Sequence, residues 1–246
     1  RHGTFENYCL AKENIFKYQK PAGLCISVFN AEDPVSAGFY EKYKNQHGRT
    51  CILFKPEDVP AETAARLKLP GRINRSNLAA AYHVAKQLQV NSSSIDTAVE
   101  TFKSLPDRLE FVREHNGVKY YNDSISTTPT STVAGIDAFK QPLILIAGGY
   151  DKKLPFDEMA EKIAQKVKAV VLIGDTAKAI AKLIQQHKDN KSQIVFADTM
   201  PDAVNKSMKS AQPGDVVSMS PACASYDMFD NYRHRAEVFK EAVKKL

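Results

Sequence analysis

The sequence predicts an α/β protein whose C-terminal part is a doubly wound parallel sheet. Four short apolar segments, most of them rich in β-branched residues, alternate there with helical patterns; they are residues 142–149, 168–174, 193–197 and 215–220. This alternation is typical of parallel strands joined by right-handed helical crossovers. We therefore interpret residues 106–246 as one doubly wound domain.

The remaining elements follow from turn and capping signals. Residues 109–123 predict a β-hairpin that turns at Asn116-Gly117, the strongest two-residue hairpin signal. Pro106 predicts the domain boundary, because proline stops the helix before it. The sequence before Pro106 predicts helices over 4–17, 77–88 and 93–104, the last capped by Ser93 or Ser94. It also predicts strands over 24–30 and within 48–56. Two strands are too few for a sheet, so residues 1–105 are interpreted as part of a different domain.

Composition narrows the function classes. The chain has 246 residues, 43% of them hydrophobic, a net charge of +6 and no apolar run of about 18 residues. We therefore expect a cytoplasmic protein with neither a membrane nor a nucleic-acid partner, since its lysines and arginines are spread along helices. The four cysteines have no CxxC spacing, which favours reduced thiols over a zinc site. An N-terminal Arg-His without Met indicates a processed chain or a piece of a longer one.

Polar loops follow the predicted strands. Six of the seven residues from Asn122 to Thr128 carry a hydroxyl, amide or acid group, and Pro129 then opens a helix. Another strand ends in residues 148–153, where glycines let the backbone approach a ligand and lysines offer positive charge. Ligands of open parallel sheets bind where strands end. The alternative interpretation is that each loop is an ordinary turn with helix caps.

The last strand, Val216 to Met219, ends in the polar segment 220–225. An amphipathic pattern follows, with Phe229, Tyr232, Ala236, Phe239 and Val243 spaced for one helical face. The junction has hydroxyls and N–H groups suited to a carboxylate or phosphate. Taken alone, this segment favours the simpler interpretation, with Ser225 as the helix N-cap.

Five blocks together resemble the Mur ligases, the ATP-dependent amide-forming enzymes of peptidoglycan precursor synthesis. They occur in family order over nearly the whole chain: residues 1–16, 71–81, 105–112, 122–139 and 220–229. The glutamate-adding member is the most similar. The resemblance implies that a Rossmann-like C-terminal, glutamate-binding domain, residues 106–246, follows the tail of an ATP-binding central domain, residues 1–105.

The resemblance also implies ligands and residue roles. ATP and Mg²⁺ would be the cofactors, with UDP-N-acetylmuramoyl-L-alanine and glutamate as substrates. ATP would activate the alanyl carboxylate, which the glutamate amine then attacks. Lys12 would be catalytic and, as a carbamate, would help to hold the metal. Asn74, Asn77, Arg108 and Asp123 would bind ATP, and Thr127, Lys152, Ser225, Tyr226 and Tyr232 would bind glutamate.

Departures from the family pattern matter as well. No Gly-Lys-Ser/Thr phosphate loop occurs in these 246 residues, so we expect no ligation by this chain alone. Asp107 stands where a histidine is common. Ile125 stands where many glutamate ligases carry lysine, which leaves the choice between D- and L-glutamate open.

Two alternatives remain. One is another ligase of the superfamily, which would add alanine, a diamino acid or, as a folylpolyglutamate synthase does, glutamate. The other is a non-catalytic nucleotide-binding or interaction module, which the missing phosphate loop favours. Substrate assays, and a search for a GxxGKT motif upstream in the source reading frame, discriminate between them.

Overall fold

The computed structural model describes residues 3–19 and 25–246. The chain divides into two compact units, Arg1–Lys68 with Arg72–Phe102 and Leu69–Gly71 with Lys103–Leu246. The longer segment of the second unit thus begins at Lys103, three residues before the boundary predicted at Pro106.

The first unit is mostly helical around two parallel strands. Its elements are α1 (Phe5–Lys17), β1 (Ile26–Asn30), α2 (Pro34–Tyr43), β2 (Thr50–Phe54), α3 (Ala61–Ala65), α4 (Arg72–Gln87) and α5 (Ser92–Thr101). β1 pairs with β2 in parallel, and Phe54, Val59 and Ala79 form a small buried cluster. Residue 24, in the strand predicted over 24–30, lies outside the described residues.

Two predicted helix starts in this unit are wrong. α4 begins at Arg72 rather than Asn77, so Asn77 lies inside the helix and is not its cap. α5 is capped by Asn91, whose side chain accepts a hydrogen bond from the Ser94 N–H, and not by Ser93 or Ser94. Asparagine is as strong an N-cap as serine, so Asn91 can take this role ahead of Ser93 and Ser94.

The second unit confirms the predicted doubly wound sheet. Its elements are β3 (Glu110–His115), β4 (Val118–Asn122), α6 (Pro129–Asp137), β5 (Leu143–Gly148), α7 (Asp157–Lys166), β6 (Val167–Ile173), α8 (Ala177–Gln186), β7 (Gln193–Phe196), α9 (Met200–Ser210), β8 (Val216–Met219) and α10 (Tyr232–Lys244). The strand order is β3-β4-β8-β5-β6-β7. β3 runs antiparallel to β4, and the other pairs are parallel.

Helices cover both faces of this sheet. Leu143 and Leu145 face one buried cluster, which includes side chains of α6, α7 and α8, whereas Ile144 and Ile146 face the other, with α9 and α10. Successive strand residues point to opposite faces. A strand covered on both sides is therefore continuously apolar, which is why β5 carries no polar alternation.

The predicted hairpin turn is confirmed. Asn116 and Gly117 join β3 to β4 with φ angles of 51° and 75°. Two consecutive positive φ angles define the type I′ turn, whose twist matches that of the flanking strands.

The last helix starts later than predicted. α10 begins at Tyr232 and is capped by Asn231, whose side chain accepts hydrogen bonds from the N–H groups of Arg233 and His234. Ser225 is therefore not its N-cap, and Phe229 precedes the helix. The predicted apolar face holds within the helix, where Ala236, Phe239 and Val243 are buried.

Candidate functional site

The loops at the carboxyl edge of the second sheet form the candidate site. β4, β8, β5 and β6 are neighbours and run parallel, so their C-terminal ends reach the same edge. The loops that follow them begin with Asp123, Ser220, Gly149 and Gly174 respectively. β8 is inserted between β4 and β5, which creates the change in strand order where open α/β sheets bind ligands.

Asp123 is the acid at the end of β4, and it is buried rather than open to a ligand. It is 2% exposed. Its Oδ1 accepts a hydrogen bond from the Leu109 N–H at 3.1 Å, and its Oδ2 accepts one from the Ser220 hydroxyl at 2.7 Å. Burial raises the pKa of Asp123 above its ordinary value, although these donors favour the charged form. The carboxylate thus links two loops and the end of the hairpin.

Arg108 lies near enough to this carboxylate for its charge to act on it, but the two side chains do not form a salt bridge. The Arg108 side chain is exposed, and no ion pair of Arg108 occurs within residues 3–19 and 25–246. The charge of Arg108 opposes the rise in the Asp123 pKa that burial causes, but does not reverse it. Arg108 and Asp123 therefore do not form a structural ion pair.

A small polar network holds the segment that enters the hairpin. Asn122 is fully buried, and its amide donates to Asp107 Oδ1 and Glu110 Oε2, both at 2.9 Å. The Lys240 ammonium lies 3.4 Å from Glu110. Burial would raise the pKa of Glu110, but the Asp107 N–H, the Asn122 amide and Lys240 together hold it below its ordinary value. Asp107, at a position where the family commonly has histidine, is thus part of a structural network.

Arg235 is the main residue of this edge that the sequence interpretation did not identify. It projects from α10, is 1% exposed, and donates to the Ser124 hydroxyl and carbonyl at 3.0 and 2.9 Å. It also donates to the carbonyls of Cys223 and Ala224 at 3.0 and 3.2 Å. Burial lowers the pKa of Arg235 to about 10. One guanidinium therefore joins the β4 and β8 loops.

A signal for Arg235 does exist in the sequence. It lies three residues after Tyr232 and four before Phe239, on the buried face of the helix. A charged residue in an apolar stripe needs hydrogen-bond partners, because an unpaired buried charge is very costly.

Glycines allow the loops to approach one another. A Cβ atom on Gly149 would lie 2.5 Å from the Ala224 carbonyl oxygen, and one on Gly174 would lie 2.2 Å from Asp227 Oδ2. Both residues also have positive φ angles, 143° and 72°. Any side chain would push the β5, β6 and β8 loops apart.

The five residues predicted to bind glutamate lie in these loops and at the start of α10. Ser225 is buried, and its carbonyl accepts from the N–H groups of Met228 and Phe229. Tyr226 is 70% exposed, and its ring packs edge-on against Tyr150 with 6.2 Å between ring centroids. Thr127 and Tyr232 are half-buried, and Lys152 is exposed. The structure thus places a cation, hydroxyls and an exposed ring along one edge of the sheet.

The other three predicted residues belong to the first unit. Asn74 and Asn77 lie three apart on α4, half-buried and exposed respectively. Lys12 is exposed on α1, with its ammonium 5.3 Å from the centroid of the Tyr8 ring. No group of three or more His, Cys, Asp or Glu suited to a metal occurs in the part of the chain that the structure describes. The roles of these residues remain predictions.

One family model matches the chain. The Mur ligase, glutamate ligase domain, matches residues 107–223, which run from the linker through the sheet to the loop after β8. Of the helices within residues 3–19 and 25–246, none is long and apolar enough to cross a membrane.

Curated relatives match over the whole chain. The chain is 40% identical over 261 residues to a UDP-N-acetylmuramoylalanine–D-glutamate ligase from Clostridium kluyveri, with 100% of this chain and 56% of the relative covered. Enzymes with the same name match at 36% from Clostridium botulinum, again over 56% of the relative, and at 38% from a Thermoanaerobacter species, over 58%. The chain spans about half the length of the curated relatives it matches.

Solved structures share the fold at low sequence identity. MurF from Acinetobacter baumannii is 16% identical, with a TM-score of 0.66 over 99% of this chain and 56% of that one. The Mycobacterium tuberculosis folylpolyglutamate synthase is 13% identical, with a TM-score of 0.67 over 99% of this chain and 60% of that one. These likenesses support the architecture, whereas the domain match and the more similar relatives carry the assignment: residues 107–223 are a glutamate ligase domain of the Mur ligase family, and the whole chain is similar to curated ligases of that family.

Proposed function

We propose that this chain is the glutamate-binding part of an ATP-dependent ligase that joins glutamate to UDP-N-acetylmuramoyl-L-alanine in peptidoglycan synthesis. The observation that carries the proposal is the 36–40% identity to D-glutamate ligases along the entire chain. A likeness confined to the fold would not separate this reaction from that of a folylpolyglutamate synthase.

The proposed glutamate site is the carboxyl edge of the sheet. Lys152 is an exposed cation on the β5 loop, suited to a glutamate carboxylate. Thr127 places a half-buried hydroxyl on the β4 loop, Ser225 places a buried one on the β8 loop, and Tyr226 and Tyr232 provide rings. Because Arg235 holds the β4 and β8 loops in fixed positions, little ordering would be needed when the amino acid binds.

The residues proposed to contact the nucleotide differ in how accessible they are to it. Arg108 is exposed and lacks an ion pair in the described ranges, so its guanidinium is available to a phosphate. Asp123 is almost fully buried, so a ribose hydroxyl would reach it only at the edge of its hydrogen-bonded pocket. Asn74 and Asn77 on α4 are proposed to contact adenine, and Lys12 to contribute to magnesium binding as a carbamate. Magnesium would need further ligands, because residues 3–19 and 25–246 hold no acidic or histidine cluster suited to it.

The chemistry proposed for this chain is the delivery of the amino acid. When bound, ATP supplies the phosphoryl group that activates the acceptor carboxylate. The loop residues would hold the glutamate carboxylates, which directs the amine toward the activated carbon and fixes its approach. Closure of the site around both substrates would exclude water, which otherwise competes with the amine.

The proposed function and the role of Ile125 are tested in one assay with the full-length protein. We expect ligation of glutamate to UDP-N-acetylmuramoyl-L-alanine with ATP, and faster reaction with D-glutamate, the substrate that the relatives' names give. Ile125 is half-buried, with its N–H bonded to the Asp107 carbonyl and its carbonyl to the Thr127 N–H. Ile125→Lys adds a cation to this fixed loop, and a charged hydrogen bond is worth roughly 1.5–3 kcal/mol. The KM for D-glutamate should therefore fall about tenfold or more.

Ile125→Met is the matched control, since methionine has a similar length and no charge. We expect its KM for glutamate to stay within about twofold of the parent. Faster reaction with L-glutamate would overturn the D-glutamate assignment, and a D-preference that Ile125→Lys leaves unchanged would remove any role of this position. Absence of ligation with either enantiomer in the full-length protein would contradict the proposed function, and would favour a nucleotide-binding module.

Arg108→Ala should raise the KM for ATP without destabilising the protein. The Arg108 side chain is exposed, so its removal should change the free energy of unfolding by less than about 0.5 kcal/mol. Loss of a phosphate contact should instead appear in ATP kinetics, measured together with the melting temperature.

Arg113→Ala is the contrasting control, in the hairpin that follows Arg108. Arg113 donates to the carbonyls of Val243 and Lys244, so its loss should lower the melting temperature and leave ATP kinetics unchanged. A lower melting temperature with normal ATP kinetics in Arg108→Ala would show that the residue is structural.

A further inference from the structure

Thr176 occupies the N-cap position of α8 but does not cap that helix. Threonine at an N-cap usually accepts a hydrogen bond from an N–H of the helix's first turn, as Thr4, Thr128 and Thr199 do here. Thr176 makes no such side-chain bond, and it is 2% exposed. A buried hydroxyl at this position that does not cap the helix needs another hydrogen-bond partner.

That partner is Gly149. The Thr176 hydroxyl lies 3.1 Å from both the Gly149 nitrogen and the Gly149 carbonyl oxygen, so it can accept from one and donate to the other. The Thr176 N–H also donates to the Gly149 carbonyl at 3.2 Å. The hydroxyl further lies 3.3 Å from Cys223 Sγ, in the β8 loop. One side chain therefore fixes both peptide groups of Gly149.

An acidic side chain from a different loop lies at the start of α8. Asp227, in the segment between β8 and α10, accepts a hydrogen bond from the Asp175 N–H at 3.1 Å. Gly174 permits this approach, because a Cβ there would lie 2.2 Å from Asp227 Oδ2. A carboxylate at a helix N-terminus is favourable. Asp227 thus places a carboxylate near the start of α8 and ties the β8 loop to the residue before Thr176.

These two bonds hold the loops that carry the proposed glutamate ligands. Gly149 is three residues before Lys152, and Asp227 is next to Tyr226 and two residues after Ser225. The Tyr150 N–H also donates to the Ala224 carbonyl at 3.0 Å, which joins the same two loops directly. We propose that Thr176 and Asp227 are positioning residues for amino-acid binding: through the β6 loop they fix the β5 and β8 loops that present Lys152, Ser225 and Tyr226. The substrate named in this inference rests on the proposed function, whereas the contacts that hold the loops do not.

Thr176→Val tests the proposal in the full-length enzyme. Valine keeps the shape of the side chain and removes the hydroxyl. We expect the KM for glutamate to rise about 10- to 100-fold, because small misplacements of binding groups have effects of this size. The KM for ATP should stay within about twofold, and Thr176→Ser should restore the KM for glutamate. A general structural defect would raise both constants and would not be corrected by serine alone.

Thr199→Val is the matched control. Thr199 caps α9, accepts from the Asp202 N–H and follows β7, the strand at the edge of the sheet. Its replacement removes an ordinary N-cap, so the melting temperature should fall while the KM for glutamate stays unchanged. An unchanged KM for glutamate in Thr176→Val would overturn the positioning role.

Amide hydrogen exchange separates this proposal from the proposed function. In the 246-residue chain, Thr176→Val should speed exchange in residues 149–152, and Asp227→Ala should speed it in residues 225–229, whereas Thr199→Val should change neither. If the parent enzyme does not use glutamate, the proposed function fails, and the exchange pattern still decides the positioning. Uniform acceleration across the sheet, or none in these loops, would refute it.

Discussion

Gly148→Ala should destabilise the second unit by roughly 4 kcal/mol or more, which is among the largest losses that a single substitution causes. A Cβ atom on Gly148 would lie 2.0 Å from the Ile173 carbonyl oxygen, which is part of the backbone and cannot move alone. The residue also has a φ of 112°. Since β5 and β6 are paired up to Gly148 and Ile173, relief of the clash requires these strands to separate at the site. Urea denaturation measures the loss.

Gly214→Ala is the control that separates the effect of the steric clash at Gly148 from the effect of a positive φ angle. Gly214 has a φ of 95°, but a Cβ there would meet nothing within 4 Å. We expect this variant to lose only about 1–2 kcal/mol, the cost of a left-handed conformation for a residue with a side chain. Equal losses in the two variants would show that the conformation, and not the close approach of β5 and β6, requires glycine at Gly148.

Arg235→Met should lower the free energy of unfolding by roughly 3–5 kcal/mol, since each buried group left without its partner costs about 1–3 kcal/mol. The substitution leaves the carbonyls of Ser124 and Cys223 without the donor that holds them, whereas the Ala224 carbonyl keeps the Tyr150 N–H. Methionine fills much of the space, so the change tests the hydrogen bonds rather than a cavity. Ligation should fall as well, because the β4 and β8 loops lose their common anchor.

Arg233→Met is the control on the same helix. Arg233 is exposed, donates from its Nε to the Tyr232 hydroxyl at 3.2 Å, and has its guanidinium 5.7 Å from the centroid of the Tyr232 ring. Its loss should change stability by less than about 0.5 kcal/mol. Arg235→Lys should recover part of the stability, because an ammonium keeps the charge but lacks the planar fork that reaches three carbonyls. Full stability in Arg235→Met would mean that the loops are held by other contacts.

The candidate site is therefore a set of strand-end loops held from beneath by few residues. Arg235 joins the β4 and β8 loops, and Thr176 with Asp227 joins the β6 loop to those of β5 and β8. Rigid placement of binding groups lowers the ordering required when a ligand binds. The structural residues lie below the surface, whereas Lys152 and Tyr226 remain exposed. This arrangement lets the exposed residues change with the substrate while the supporting bonds stay.

The sequence by itself determined the sheet, the hairpin and the chemistry of the loops. Continuous apolar runs such as Leu143–Gly148 predict buried strands because both faces of a parallel sheet are covered. Asn116-Gly117 predicts its turn, and Thr128-Pro129 its helix start, because these residues favour the required backbone conformations locally. The five family blocks predicted the Mur ligase assignment. All of these signals act over a few residues or along one face, so they can be read without coordinates.

Only the tertiary structure decided which polar residues are exposed on the loops and which are buried and hold the loops together. The hydrogen-bond partners of Asp123, Arg235 and Thr176 cannot be read from the sequence, and each of these residues is at most 2% exposed. Their partners lie far along the chain: Ser220 for Asp123, Ser124 for Arg235 and Gly149 for Thr176. The start of α10 at Tyr232 instead of after Ser225 has the same origin, since Asp227 is bound to the β6 loop. Hydrogen bonds between distant segments form only after the strands pair, so local sequence propensities do not predict them.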